Sequence, residues 1–200
     1  MKLTKQQRAI LVGTVLGDGR LQKTGSKNVR LRLEHGGRQK EYLFWKGNQF
    51  PNLFNGAPNY IERKHPSTQR IYTYWRWQSH STPELGFWYR IFYGEGKKQI
   101  PKMLVKFLQD PMALAVWYMD DGFYDQKQRH SLIYLGRVMR AEADIACRVI
   151  EKNFAVNPRV YDKKEKGFTL FFPVEETKKL HALIRSHVHE SMNYKLSLTP

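Results

Sequence analysis

Apolar positions in the first half of the chain gather in one block, Ile10-Leu11-Val12 and Val15-Leu16, interrupted only by Gly13 and Thr14. Ahead of it, Thr4 with Gln7 three residues on has the spacing of a capping box, so a helix is predicted to start there. It stops at Gly17-Asp18-Gly19. Gly13 and Gly17 share one helical face, where missing side chains would let a second helix approach closely. The second half opens alike. Asp110 is a good N-cap and Pro111 a first-turn proline, Met112 to Met119 is nearly all apolar, and the stop is Asp120-Asp121-Gly122. Two apolar helices therefore each run into Asp-Gly, at Asp18 and Asp121, about half a chain apart.

The segments after the two helices also match. Val29-Arg30-Leu31-Arg32-Leu33 alternates apolar and basic residues, as a half-buried strand does, and residues 39–50 then read as a helix. After Asp121, residues 131–136 read as a strand and 141–154 as a helix. Residues 61–64 are expected to pair with 69–78, and 159–162 with 167–172 across a lysine-rich turn. Each half closes on a helix, near 83–93 and 174–187. The expected fold is α+β, built from two pseudo-symmetric αββαββα repeats. We place them at 1–95 and 110–200, joined by a linker at 96–109 and packed as one compact unit. The repeat rests on pattern and spacing, because identity between the halves is low.

Composition narrows the function. With 41% hydrophobic residues the chain can bury a core, yet 34 Lys+Arg against 18 Asp+Glu leave a formal charge of +16. Such an excess repels itself in a compact fold unless it meets an anionic partner. Nucleic acid fits better than a membrane surface, since no basic amphipathic helix stands out. A merely solvated basic surface is the plain alternative. The single cysteine, Cys147, allows no internal disulfide and is expected to be a small buried hydrophobe. Met1 to Lys5 runs straight into the first helix, so neither a signal nor a transit peptide is expected. The apolar blocks are too short to span a bilayer.

Two apolar helices packed together would bring Asp18 and Asp121 side by side at their C-terminal ends. There each carboxylate opposes its helix dipole and repels the other. A cation relieves both. Oxygen ligands without Cys or His suit Mg²⁺ or Ca²⁺, and paired carboxylates holding divalent ions suit phosphodiester hydrolysis. A single Asp-Gly is better read as a helix-ending turn; two in matching positions reverse that reading. Asp120 stands where the first motif has Gly17, and we read it as a helix-terminal polar residue rather than an acid supporting the site. His187 and His189 are a weak metal pair, expected at the surface or in packing. Trp75, Trp77 and Trp88 are expected to pack in the core or sheet.

Leu11-Val12-Gly13-Thr14-Val15-Leu16-Gly17-Asp18-Gly19 and Leu114-Ala115-Val116-Trp117-Tyr118-Met119-Asp120-Asp121-Gly122 both resemble LAGLIDADG motifs. Lys97-Lys98-Gln99-Ile100-Pro101 and Glu190-Ser191-Met192-Asn193-Tyr194-Lys195-Leu196 resemble flanking stretches of the monomeric, two-motif LAGLIDADG homing endonucleases. The resemblance implies a site-specific endonuclease of double-stranded DNA, a monomer with a long asymmetric target, cut across the minor groove to leave 3′ extensions. It implies metal binding by Asp18 and Asp121, with Mg²⁺ as cofactor and Ca²⁺ or Mn²⁺ able to substitute in binding. It also implies two catalytic lysines, which map by position onto Lys98 and Lys195. An organelle-encoded gene, chloroplast or mitochondrial, is expected, with an archaeal or bacterial cytoplasm as the alternative.

The same resemblance implies two four-stranded antiparallel sheets saddling the DNA. Arg30 and Arg32 share one strand face, and Tyr72, Tyr74, Arg76 and Gln78 share another, with Arg70 just before them. Arginine and glutamine there can read base edges in the major groove. Lys127, Arg129, Arg159, Lys163, Lys164 and Lys166 are the counterparts in the second half, many expected on phosphates. The runner-up is an intron RNA maturase on the same fold, which need not keep both acids and both lysines.

Overall fold

The computed structural model describes residues 3–197. Met1 and Lys2, on which the reading of the amino end partly rests, lie outside them. Helix α1 (Lys5–Leu16) starts at the predicted capping box: Thr4 Oγ1 accepts from the Gln7 N–H, and Gln7 Oε1 accepts from the Thr4 N–H. Helix α4 (Pro111–Asp121) starts at Asp110, whose side chain accepts from the Met112 N–H. Both helices are buried on every side, α1 from Ala9 to Leu16 and α4 from Ala113 to Met119. They are packed against one another at the centre of the molecule. A Cβ on Gly13 would strike the Ala113 carbonyl and the Val116 side chain, so this glycine is what lets the two backbones meet.

Around the pair lie two antiparallel sheets of the same topology. β1 (Arg20–Lys23), β2 (Val29–Gly36), β3 (Asn59–Lys64) and β4 (Ile71–Gln78) form the first, in order β1-β2-β4-β3. A small hairpin, β5 (Tyr93–Gly94) and β6 (Lys97–Lys98), follows it in sequence. β7 (Gly122–Asp125), β8 (His130–Gly136), β9 (Arg159–Asp162) and β10 (Phe168–Phe172) form the second sheet, in order β7-β8-β10-β9. Helices α2 (Lys40–Asn48) and α3 (Leu85–Phe92) pack on the first sheet, and α5 (Arg140–Phe154) and α6 (Val174–Ile184) on the second. The αββαββα unit thus occurs twice, with bounds within a few residues of those read from the pattern.

In β2 the burial alternates strictly: Val29, Leu31, Leu33 and His35 point inward, Arg30, Arg32 and Glu34 outward. Trp77 and Trp88 are buried, and Trp75 packs at the edge of the core. Cys147 is half-buried rather than fully so, its thiol directed at the Pro158 carbonyl. Among the described residues no helix is long and apolar enough to cross a membrane.

Candidate active site

Asp18 lies just past the end of α1, and Asp121 is the last residue of α4. Because these helices lie side by side, the two carboxylates converge from opposite halves. Asp18 keeps 45% of its side-chain surface open to solvent. The protein packed around it and the neighbouring Asp120 charge raise its carboxyl to about 6, against the pull of Lys46, Lys98 and Lys195. Burial, then the charges of Asp18 and Asp120, hold the Asp121 carboxyl well above the usual carboxylate range. Two acids that resist ionising together mark a place where a divalent cation would be stabilising. The donor set, oxygen from two carboxylates, fits a hard cation of the Mg²⁺ or Ca²⁺ kind.

Both predicted lysines reach the same ends. Lys98 Nζ donates to the Gly17 carbonyl and, at 3.4 Å, to that of Gly19. Lys195 Nζ donates to the carbonyls of Met119 at 2.6 Å and Asp120 at 3.0 Å. Each ammonium thus sits on unsatisfied carbonyls at a helix C-terminus, where a positive charge opposes the dipole's negative end. Burial lowers both lysine pKa values, while the three aspartates oppose the shift.

The scaffold fixes these lysines separately. The Tyr93 hydroxyl accepts from the Leu21 N–H at 3.0 Å, tying the β5–β6 hairpin and its Lys98 to β1. Just beyond, the Ile100 N–H donates to the buried Glu142 carboxylate at 2.8 Å. On the other side the Tyr118 hydroxyl donates to the Lys195 carbonyl at 2.8 Å. That hydroxyl is itself held in a buried cluster with Ser131 and His181.

Asp120 corrects the sequence reading. It is no solvated helix end: its side chain has no exposed surface and forms an ion pair with Lys46 at 2.7 Å, the Lys46 side chain being equally buried. The Tyr42 hydroxyl donates to Asp120 Oδ1 at 2.9 Å, and the Asp18 N–H to Oδ2 at 3.0 Å. Sequence reasoning missed Lys46, Tyr42 and His35 altogether. The one signal available was Asp120 itself, an acid ending an otherwise apolar helix.

Residues 8–180 match the LAGLIDADG DNA endonuclease family. The chain belongs to that family. Its relatives include Protein RecA of Mycolicibacterium fallax, 29% identical over 97% of this chain and 47% of that protein. The chain thus spans about half the length of this relative. Probable intron-encoded endonuclease 1 of Wickerhamomyces canadensis is 24% identical over 97% of the chain and 85% of its own length. DNA endonuclease I-ChuI of Chlamydomonas applanata is 34% identical over 61% of the chain and 60% of its own length. The homing endonuclease I-WcaI, solved bound to its DNA recognition sequence, has the same fold, with a TM-score of 0.91 and 23% identity over 100% of this chain and 89% of that one. I-DmoI, solved with DNA and Mn, superposes more loosely, with a TM-score of 0.52 and 16% identity over 92% of this chain and 98% of that one.

The open faces of the two sheets differ in this LAGLIDADG chain. On the first, strand pairing sets Arg32 beside Gln78, Glu34 beside Arg76, and Arg63 beside Tyr72. Glu34 holds Arg76 Nε at 2.6 Å, an Arg63 nitrogen at 2.8 Å and an Arg32 nitrogen at 3.2 Å. Arg30 Nε donates to Gln22 at 3.1 Å. The structure therefore gathers Arg30, Arg32, Tyr72, Tyr74, Arg76 and Gln78 on one surface and adds Gln22, Glu34 and Arg63, which the sequence reading omitted. Arg70 sits in the turn before β4. The second face carries Phe123, Tyr134, Tyr161 and Phe171, with Arg159 in β9 as its one predicted basic group. Lys127 and Arg129 lie instead in the β7–β8 turn, and Lys163, Lys164 and Lys166 in the β9–β10 turn.

Proposed function

We propose that this chain is a site-specific endonuclease that cuts both strands of DNA at a long asymmetric target, acting as a monomer. The observation that carries the reading is the convergence of Asp18 and Asp121 from the two halves, with Lys98 and Lys195 on the same helix ends. The DNA recognition sequence bound by I-WcaI supports the substrate class. Asp18 and Asp121 would hold a divalent metal, proposed to be Mg²⁺, with Ca²⁺ or Mn²⁺ able to take its place in binding. When bound, the metal polarises the phosphoryl oxygen and lowers the pKa of the attacking water. Lys98 and Lys195 bring positive charge to the anionic transition state from either side. The arginine-rich face of the first sheet reads base edges, while the turn lysines of the second half hold phosphates and set register.

Asp18 and the first sheet come from 1–95, Lys98 from the 96–109 linker, and Asp121, Lys195 and the second sheet from 110–200, which supports a monomer with an unequal two-part site. The presence of both acids and both lysines favours cleavage over RNA binding alone. An organelle-encoded, intron-borne gene is part of the proposal, supported by the yeast relative named as intron-encoded.

Selection of cleaved duplexes from a randomised library with Mg²⁺, beside a Ca²⁺ control, tests the reading and yields the target. On that target Asp18→Asn and Asp121→Asn should each lose double-strand cleavage while binding changes by less than about threefold. Full cleavage by either variant would remove the metal-site assignment.

A further inference from the structure

The two acids are not held alike. Asp18 meets fixed groups on both sides: its N–H donates to Asp120 Oδ2 at 3.0 Å, and its Oδ2 faces His35 Nδ1 at 3.6 Å. Lys46 stands behind both partners. Its ammonium lies 2.7 Å from each Asp120 oxygen and 3.2 Å from His35 Nε2. An ammonium has only donors to offer. His35 Nε2 therefore accepts, and the ring hydrogen sits on Nδ1, the nitrogen turned to Asp18. His35 is buried, and among the described residues no group lies within hydrogen-bond distance of its Nδ1; besides Asp18, the Gln39 side chain is offered to the ring as a hydrogen-bonding group.

Asp18, His35 and Asp120 present ligand atoms within 4.8 Å of one another, but the same bonds argue against a cation caged by all three. The His35 lone pair points at Lys46. Asp120 is spent on Lys46, Tyr42 and the Asp18 amide. Only the Asp18 carboxylate remains free to take a metal.

Among the described residues nothing equivalent serves Asp121. The place of Asp120 in the first motif is taken by Gly17, and a Cβ there would stand 2.5 Å from Asp120 Cβ and Oδ2. Two side chains cannot share that spot, so the inequality is built into the helix contact. The buried face of α5, which answers to α2, carries Glu142, Ala143, Ala146, Val149 and Ile150 and no lysine.

We infer that His35, Asp120 and Lys46 are positioning residues for Asp18 alone, aiming its carboxylate at a divalent cation and making the two strand cuts unequal in their dependence on the protein. The inference rests on the reading of Asp18 as a metal ligand. Groups that orient a ligand from behind typically tune metal affinity by about 10–100-fold.

The test uses the full chain on its selected duplex, first with Mn²⁺ binding to the complex counted by electron paramagnetic resonance. His35→Leu removes the donor facing Asp18, while His35→Asn keeps a donor nitrogen near the Nδ1 position. His35→Leu and Asp120→Asn should weaken Mn²⁺ binding by about 10-fold or more, and His35→Asn by less than about threefold. On supercoiled plasmid with Mg²⁺, His35→Leu should accumulate nicked circles, because only one acid has lost its support. Wild-type Mn²⁺ affinity and strand balance in His35→Leu would overturn the inference, as would a His35→Asn variant no better than His35→Leu. A wild-type protein that neither cuts nor binds Mn²⁺ would overturn the underlying reading instead. Melting temperatures accompany each variant, and should Asp120→Asn fail to fold, the two His35 variants decide the matter.

Discussion

The Lys46 ammonium and the Asp120 carboxylate meet at 2.7 Å across the joint between the two halves, with neither side chain reached by solvent. Breaking a buried pair from one side leaves an uncompensated charge, at a cost of about 3–5 kcal/mol. Lys46→Met should therefore lower unfolding stability by that order in guanidinium titration. Lys46→Met combined with Asp120→Leu should regain at least half of the loss, since no buried charge then remains. A single Lys46→Met variant as stable as the parent would show that the pair is not closed in solution.

The approach of α1 to α4 should be as sensitive. Gly13→Ala places a methyl against the Ala113 carbonyl and Val116. Backbone on one side cannot yield cheaply, so we expect destabilisation of about 1–3 kcal/mol, read as a lower melting temperature. Cleavage should fall further than stability alone explains, because spreading the helices parts the acids. An unchanged melting temperature would refute the close contact.

His181 makes an acid-sensitive contribution to stability. Burial, with the Arg185 charge beside it, lowers its pKa from the ordinary 6.5 to about 4. Between those values the unfolded chain binds a proton that the folded chain refuses. Its contribution is thus complete above pH 6.5 and is lost as the pH falls toward 4. The slope from one such group is at most about 1.4 kcal/mol per pH unit. His35, lowered to about 3 by burial and Lys46, adds in the same direction. The raised Asp18 and Asp121 carboxyls act the other way over this range, so the test is a difference: in denaturant titrations from pH 7 to 4.5, His181→Gln should gain stability relative to the parent as the pH falls, and parallel curves would assign the effect elsewhere.

Glu34 is an acid paired with three arginines of the first sheet, Arg32, Arg63 and Arg76. Against desolvation, which would raise it, hydrogen bonds from Arg63 and Arg76 hold its carboxyl below the usual value. Glu34→Gln frees those guanidinium groups. Binding to random duplex should strengthen, with a salt slope steeper by up to about one phosphate equivalent, while discrimination among bases in that half-site falls. Anisotropy titrations across salt concentrations measure both; unchanged discrimination would leave Glu34 a bystander.

Lys98 separates chemistry from binding. With its amine on the carbonyls at the end of α1, Lys98→Ala should slow single-turnover cleavage by about 10²-fold and change affinity by far less. Loss confined to affinity would make it a phosphate contact.

The sequence by itself determined the elements and the two converging acids. Helix stops, caps and period-two strands are local, so Thr4, Gly17-Asp18-Gly19 and the alternation through Arg30 and Arg32 declared themselves without any tertiary knowledge. Tertiary structure alone decided which charges are buried. Lys46 follows an aromatic run and resembles a surface lysine until Asp120, distant in sequence, neutralises it. His35 reads as one more polar end of a strand until α2 covers it. The second sheet deceived for a related reason: its lysines are set in turns, where no alternation assigns a face, and its open strands carry aromatic rings. Burial of a charge is stabilised only by a partner, and partners are chosen by packing rather than by neighbours along the chain.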